Sequence, residues 1–228
     1  MIRWAALAAS MALTASLAPR AQLDHIVVGI RSLPEGIAQF EQLTGVKPGV
    51  GGRHPGRGTE NALVSLGGGT YLEILAPQAG ATLSPQDQTL LALERLTIID
   101  WAVSVPEVDG AVAALKSAGF APSPAQPGAR LTPAGERLDW TTFGLRGADI
   151  DAAPFFIRWS PNTRHPSTTA PAGCVLDALT VRDPASEKLA TAMKALDVPQ
   201  VTIANGALHL EAALTCGSKR ATLTSSAR

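Results

Sequence analysis

A mixed α+β fold built from a repeated βαβββ unit is what the sequence predicts, and three observations carry that prediction. The pattern opening Leu23-Asp24-His25-Ile26-Val27-Val28 returns at Ile99-Asp100-Trp101-Ala102-Val103 and at Leu176-Asp177-Ala178-Leu179-Thr180-Val181, so His25, Trp101 and Ala178 follow one another at intervals of 76 and 77 residues. Each copy is a β-branched run, then turn residues, then an amphipathic segment, which is how a recurring βα unit looks in sequence. The chain has 228 residues, 46% of them hydrophobic, enough to bury a full core. One module used three times is therefore expected, and only its first copy carries an imidazole.

In the first copy, Ser32-Leu33-Pro34-Glu35 reads as a helix start, with Ser32 as N-cap, Glu35 at the capping-box offset and Pro34 in the first turn. Ile37, Phe40 and Leu43 recur at helical spacing, and Gly45 ends the run. The stretch from Pro48 to Asn61 is rich in glycine and too polar for a core, and it reads as a short strand running into a hairpin. Two further strands, Asn61 to Leu66 and Thr70 to Leu75, flank Gly67-Gly68-Gly69, a turn that demands positive φ. The linker from Gln78 becomes helical at Gln86 to Arg95.

The second copy begins at Thr97, with a helix over Val108 to Ala118 and later strands at Arg137 to Leu145 and Pro154 to Ser160. Between them, Ala121 to Gly135 is broken by proline and glycine into a loop or an interrupted edge strand. Pro161 to Gly173 is an exposed connector. The third copy places a helix from Asp183-Pro184 to about Leu196, then strands at Val201 to Ala204, Ala207 to Leu214 and Ala221 to Ser225. Its Asn205-Gly206 pair is a hairpin signal.

Nineteen basic and nineteen acidic residues balance, with a pI near 6.9, so no long-range field favours nucleic acid or an anionic membrane. The partner left is a small molecule. Cys174 and Cys216 lack metal or redox spacing and read as small apolar packing residues, a bridge within the third copy being the alternative. Trp101, Trp140 and Trp159 all fall in the middle copy, which points to an aromatic-lined cavity. Residues 1–21 are either a signal-like extension, with Arg3 and an apolar run to Leu17 but a poor cleavage region, or a consequence of translation starting at Met11. That run is shorter than the ~20 residues of a membrane span. A cytoplasmic protein is the reading taken, an exported one the alternative.

The Leu-Asp-His first strand, the Tyr71-Leu72-Glu73-Ile74 last strand, the run from Gly51 to Asn61 with its His54-Pro55, Pro154 to Trp159, and His165-Pro166-Ser167 together resemble the glyoxalase-like domain proteins of the vicinal oxygen chelate superfamily. The resemblance covers roughly residues 22 to 226. It implies that the modules at 22–77 and 97–161 pair edge to edge into a half-open, cup-shaped sheet, with 173–228 as a third module. It further implies a divalent metal in the cup, with Zn, Mn, Fe and Mg as candidates, held by the first and last strands. Matched residue by residue, His25 and Glu73 are the ligands of the first module and the candidate catalytic pair, with His54 a third ligand if its hairpin folds over the cup. The second module offers Trp101 and, at the last strand, Ile157 or Arg158, none of them ligands. The third offers Ala178 and Glu211.

Alternation supports convergence: His25, Val27 and Gly29 share one strand face, as do Tyr71, Glu73 and Leu75. A carboxylate in so apolar a strand needs a partner. Arg158 is the expected one, either as a salt bridge to Glu73 or as a clamp for a substrate carboxylate. His54 and Asn61 are turn formers or substrate contacts on a binding loop, and Trp101, expected to fill a ligand position in the cup, joins Trp140 and His165 as a substrate-binding candidate. Two readings follow: a small-molecule enzyme using His25 and Glu73, or a metal-free binding protein of the bleomycin-resistance type. The third module's unpaired sheet edge adds a homodimer to the expectations.

Overall fold

The computed structural model describes residues 20–145, 147 and 149–226, so the signal-like segment lies almost wholly outside the described residues. The first module runs β1 (Gln22–Gly29), α1 (Leu33–Thr44), β2 (Gly49–His54), β3 (Thr59–Ser65) and β4 (Tyr71–Pro77). After a 3₁₀ segment at Pro85–Ala92 come β5 (Thr97–Ser104), α2 (Val108–Ser117), β6 (Gln126–Leu131), β7 (Arg137–Phe143) and β8 (Phe155–Trp159). The third stretch is β9 (Cys174–Asp183), α3 (Ser186–Ala195), β10 (Val201–Asn205), β11 (His209–Cys216) and β12 (Lys219–Thr224). This is the mixed α+β fold of βαβββ modules that the sequence predicts.

The two modules meet through β1 and β5, which run antiparallel, and the sheet continues in the order β1-β4-β3-β2-β6-β7-β8-β5. The cup thus closes into an eight-stranded barrel. Its far seam is slight: β2 and β6 share one register pair, Arg53 with Leu131. Inside and outside follow the period of two. Ile26, Val28, Leu72, Ile74 and Phe156 point outward into a large apolar cluster, while Val27 and Leu75 point inward and pack with Leu90 of the 3₁₀ segment.

The third stretch keeps the βαβββ element order but not the pairing of the first module. Its sheet runs β10-β9-β11-β12, with the first strand between the second and third. The Asn205-Gly206 hairpin is therefore not formed: β10 pairs parallel with β9, and β9 separates it from β11. Leu179, Val181, Leu210, Ala212 and Leu214 from this sheet join Ile26, Val28, Trp101 and Val103 in one core, so the third stretch covers the outside of the barrel.

Three local expectations change. Ser32 stands at the start of α1 in an extended conformation but makes no side-chain cap, and Glu35 faces Arg31 at 3.4 Å. The expected helix at Gln86 to Arg95 is the 3₁₀ segment ending at Ala92. Cys174 and Cys216, opposite one another on β9 and β11, are joined in a disulfide rather than packed as free thiols. No helix among the described residues is long and apolar enough to cross a membrane.

Candidate active site

A bulge positions the first functional group. The β1–β5 register shifts between Leu23 and His25, so Asp24 is left out of the ladder and its side chain is re-aimed. Asp24 is fully buried and accepts from three rings: His25 Nδ1 at 2.6 Å, His165 Nε2 at 3.0 Å and Trp159 Nε1 at 3.1 Å. Burial by itself raises a carboxyl pKa, but the bonds from His165 and His25 outweigh it and hold Asp24 down at about 2. An ionised Asp24 can only accept, so His25 carries a proton on Nδ1 and turns Nε2 into the barrel. His165 is fixed in the same way, since its Nδ1 accepts from the Ser167 backbone N–H at 3.3 Å and leaves the proton on Nε2.

Glu73 lies between two imidazoles. Its Oε2 is 3.8 Å from His25 Nε2, its Oε1 is 3.6 Å from His54 Nε2, and Asn61 Nδ2 donates to Oε1 at 2.6 Å. Desolvation opposes ionisation here, yet the two imidazoles and the Asn61 amide prevail and lower the Glu73 pKa. His54 is pushed down to about 4 by burial, so it is a neutral ring near pH 7, with Nδ1 3.0 Å from the buried Thr59 hydroxyl. The β2–β3 hairpin is part of the barrel wall and does not fold over it, and His54 at the end of β2 reaches the interior from that wall. What brings it there is the β3–β4 ladder, in which Asn61 pairs with Leu75 and Leu63 with Glu73.

His25, His54, Asn61, Glu73 and Trp159 line a cavity of about 890 Å³ inside the barrel, within the range of small-molecule sites, with Asp24 and His165 behind its wall. Aromatic rings form much of its wall: Tyr71 stacks on His25 at 4.5 Å, Phe155 meets the same ring edge-on at 5.3 Å, and Trp140 meets Trp159 at 5.3 Å. Two further residues of the lining had no role in the sequence reading. Asp100, opposite Val27, is raised to about 6 by burial, against the backbone N–H of Trp101 that it accepts. Arg130 on β6 is buried, with one Nη donating to the Gly51 carbonyl. The signal for Asp24 and Asp100 was present in the repeated Leu-Asp and Ile-Asp pairs, whereas Arg130 sits in the stretch read as broken loop.

His25, Glu73, His54, Asn61 and Trp140 are thus brought together on the cavity, while His165 stands behind Asp24 outside its lining; Trp101 belongs to the cavity wall but sends its ring into the outer core, and Arg158 leaves the cavity. Trp101 pairs with Ile26, packs in the outer apolar cluster and donates its indole N–H to the Ala152 carbonyl at 2.9 Å. Strand pairing explains the misplacement: His25 lies beside Tyr71 and Ala102 beside Phe155, so Ala102 is the counterpart of His25. Arg158 falls on the outer face of β8 and pairs with Glu107 at 3.0 Å, while Ile157 and Trp159 line the cavity. Its anticipated bond to Glu73 is taken by Asn61.

The resemblance implies a divalent metal, and the donor types His25, His54 and Glu73 suit zinc or iron. Their arrangement does not. The carboxylate stands between the imidazoles and is bonded by Asn61, and among the described residues no group of three or more His, Cys, Asp or Glu side chains is gathered to hold a metal ion.

A family model described as a glyoxalase-like domain matches residues 23–196, three quarters of the chain and including β9 and α3. The chain belongs to this glyoxalase-like family. A hypothetical protein from Staphylococcus aureus has a similar structure over 90% of this chain and 85% of its own, at TM-score 0.62 and 16% identity. Shorter likenesses are to a hypothetical protein from Bacillus halodurans C-125 (TM-score 0.47, 19% identity, 63% of this chain and 98% of that one). Another is to methylmalonyl-CoA epimerase from Mycobacterium tuberculosis (TM-score 0.45, 18% identity, 66% of this chain and 95% of that one). At such identities the likeness is one of fold alone. No curated protein matches.

Proposed function

We propose that this chain is a small-molecule enzyme that moves a proton on an oxygen-bearing substrate inside the barrel, with Glu73 as base. The observation that carries the reading is a buried, ionised carboxylate held between two imidazole nitrogens at 3.6 and 3.8 Å in a cavity of about 890 Å³. Asp24 fixes the His25 ring so that the Nε2 lone pair faces Glu73, where it receives the proton that Glu73 accepts and, once protonated, stabilises the oxyanion that remains. Asp100 supplies the complementary acid. Two carboxyls in one cavity, one pushed down and one up, are the arrangement from which acid and base roles separate.

The test is exchange of substrate hydrogen with D₂O, followed by NMR across a panel of hydroxy and oxo acids. Wild-type protein is expected to exchange at least one of them, and Glu73→Gln to lose about 10²–10⁴-fold in rate. Unchanged exchange in Glu73→Gln overturns the reading. The Trp140–Trp159 wall supports a second reading, a binding protein without turnover. Stoichiometric quenching of tryptophan fluorescence by a ligand that is never exchanged or converted would favour it.

A further inference from the structure

We propose that Arg130 is the anchor for a carboxylate of the substrate, which narrows the substrate class to small monocarboxylic acids with an apolar body. The inference rests on the acid–base reading for the chemistry but stands on a separate part of the cavity. Two guanidiniums line that cavity. Arg57 is occupied: it binds Asp87 through two bonds, at 2.6 and 3.1 Å, and Asp87 is further held by Ser84 at 2.5 Å. Arg130 is different. It is 4% exposed, and among the described residues no carboxylate lies within salt-bridge distance of it. Its one hydrogen bond, to the Gly51 carbonyl, uses a single donor of five.

A guanidinium removed from water without an ion-pair partner is costly, and burial accordingly pulls the Arg130 pKa down. That cost is recovered when an anion arrives, and the planar fork matches a carboxylate in two parallel bonds. The location suits the chemistry. Gly51, which Arg130 holds by its carbonyl, has no room for a side chain because Asn61 Oδ1 stands where a Cβ would project, and Asn61 in turn holds Glu73. Arg130, Gly51, Asn61 and Glu73 are thus linked in one row across β6, β2, β3 and β4. Asn61 Oδ1 is itself buried without a hydrogen-bond partner, so this row carries two groups with unused capacity.

The neighbours set the rest of the ligand. Trp140 pairs with Gly128, two residues from Arg130 on the same face of β6, and offers an aromatic surface to an apolar body. Glu73 gives the cavity negative charge, so a singly charged carboxylate is favoured over a phosphate dianion.

Calorimetric titration of the full chain with phenyllactate, phenyllactamide and phenyl phosphate tests this. Wild type is expected to bind the acid at least ten-fold more tightly than the amide or the phosphate. Arg130→Gln should lose at least ten-fold for the acid with little change for the amide, and Arg130→Lys should recover part of it. Equal affinity for acid and amide in wild type, preference for the phosphate, or undiminished acid binding by folded Arg130→Gln overturns the proposal. The first two comparisons need no variant, so a folding defect cannot mask them. Glu73→Gln should still bind the acid. If it also still exchanges hydrogen with D₂O, the acid–base reading fails while the Arg130 anchor stands.

Discussion

At the scale of single residues, the candidate site depends on one carboxylate that is fully buried and lies outside the cavity lining. Asp24 orients His25, His165 and the Trp159 indole at once, so it is a positioning residue. Asp24→Asn can still accept at one atom but leaves either the His25 proton or both the His165 and Trp159 protons without an acceptor. We expect it to lower kcat by about 10²-fold or more at similar KM, and His25 ring-nitrogen shifts in NMR should show a changed tautomer. An unchanged spectrum with lost activity would count against positioning. Asp100, held up at about 6, is expected to set the alkaline limb of kcat/KM near that pH, and Asp100→Asn to remove the limb. His25 and Glu73 were legible from the family resemblance, with strand alternation putting both on the inward face. Asp24 was not, because a bulge breaks the period of two that such a reading assumes.

At the scale of elements, the β2–β6 seam is where the barrel is weakest and where the proposed anchor sits. Gly52 has φ +141°, and a Cβ there would press on the Leu131 carbonyl oxygen across the seam. Gly52→Ala should destabilise the fold by about 1–3 kcal/mol and weaken ligand binding together. Urea melts and calorimetry read both. A variant with wild-type stability would mean that the seam is free to open. Strand and helix positions in the first two modules followed from hydrophobic period and glycine turns. The Asn205-Gly206 turn misled because a local signal says only that the chain can reverse, not which strand it will find, and β9 takes the place of β11 beside β10.

At the scale of the molecule, the buried His54 and Asp24 and the half-buried Asp100 shape the acid response. His54, lowered from 6.5 to about 4, favours the native state fully above pH 6.5 and loses that contribution as pH falls to 4. Asp100, raised from 3.8 to about 6, has the opposite sign, its contribution being lost as pH rises from 4 to 6. The two nearly cancel between pH 4 and 6. Asp24, lowered from 3.8 to about 2, contributes about 2 kcal/mol above pH 4 that disappears on the way to pH 2. Stability by urea titration should therefore be nearly flat from pH 6.5 to 4.5 and fall steeply below 4; a steady decline from pH 6.5 would contradict this balance.

The Cys174–Cys216 bridge closes a sequence separation of 42 residues and should contribute about 2–4 kcal/mol, read as a lower urea midpoint in Cys216→Ala. Such bridges persist in oxidising compartments, so we propose the exported alternative over the cytoplasmic one, to be checked by fractionating cells that express the chain with and without residues 1–21. The homodimer expected from the edges β10 and β12 is tested by light scattering, where a monomer mass at high micromolar concentration overturns it.

By itself the sequence determined the module, its repetition, the family it resembles and the inward face that carries His25 and Glu73, since periodicity and turn chemistry are local properties. Only the tertiary structure decided that the cup closes, that Trp101 sends its ring into the outer core and Arg158 leaves the cavity, that the cysteines meet, and that Asp24, Asp100 and Arg130 enter the site. Each of those depends on which strand lies beside which and in what register, and register is settled by the packing of residues far apart in the chain.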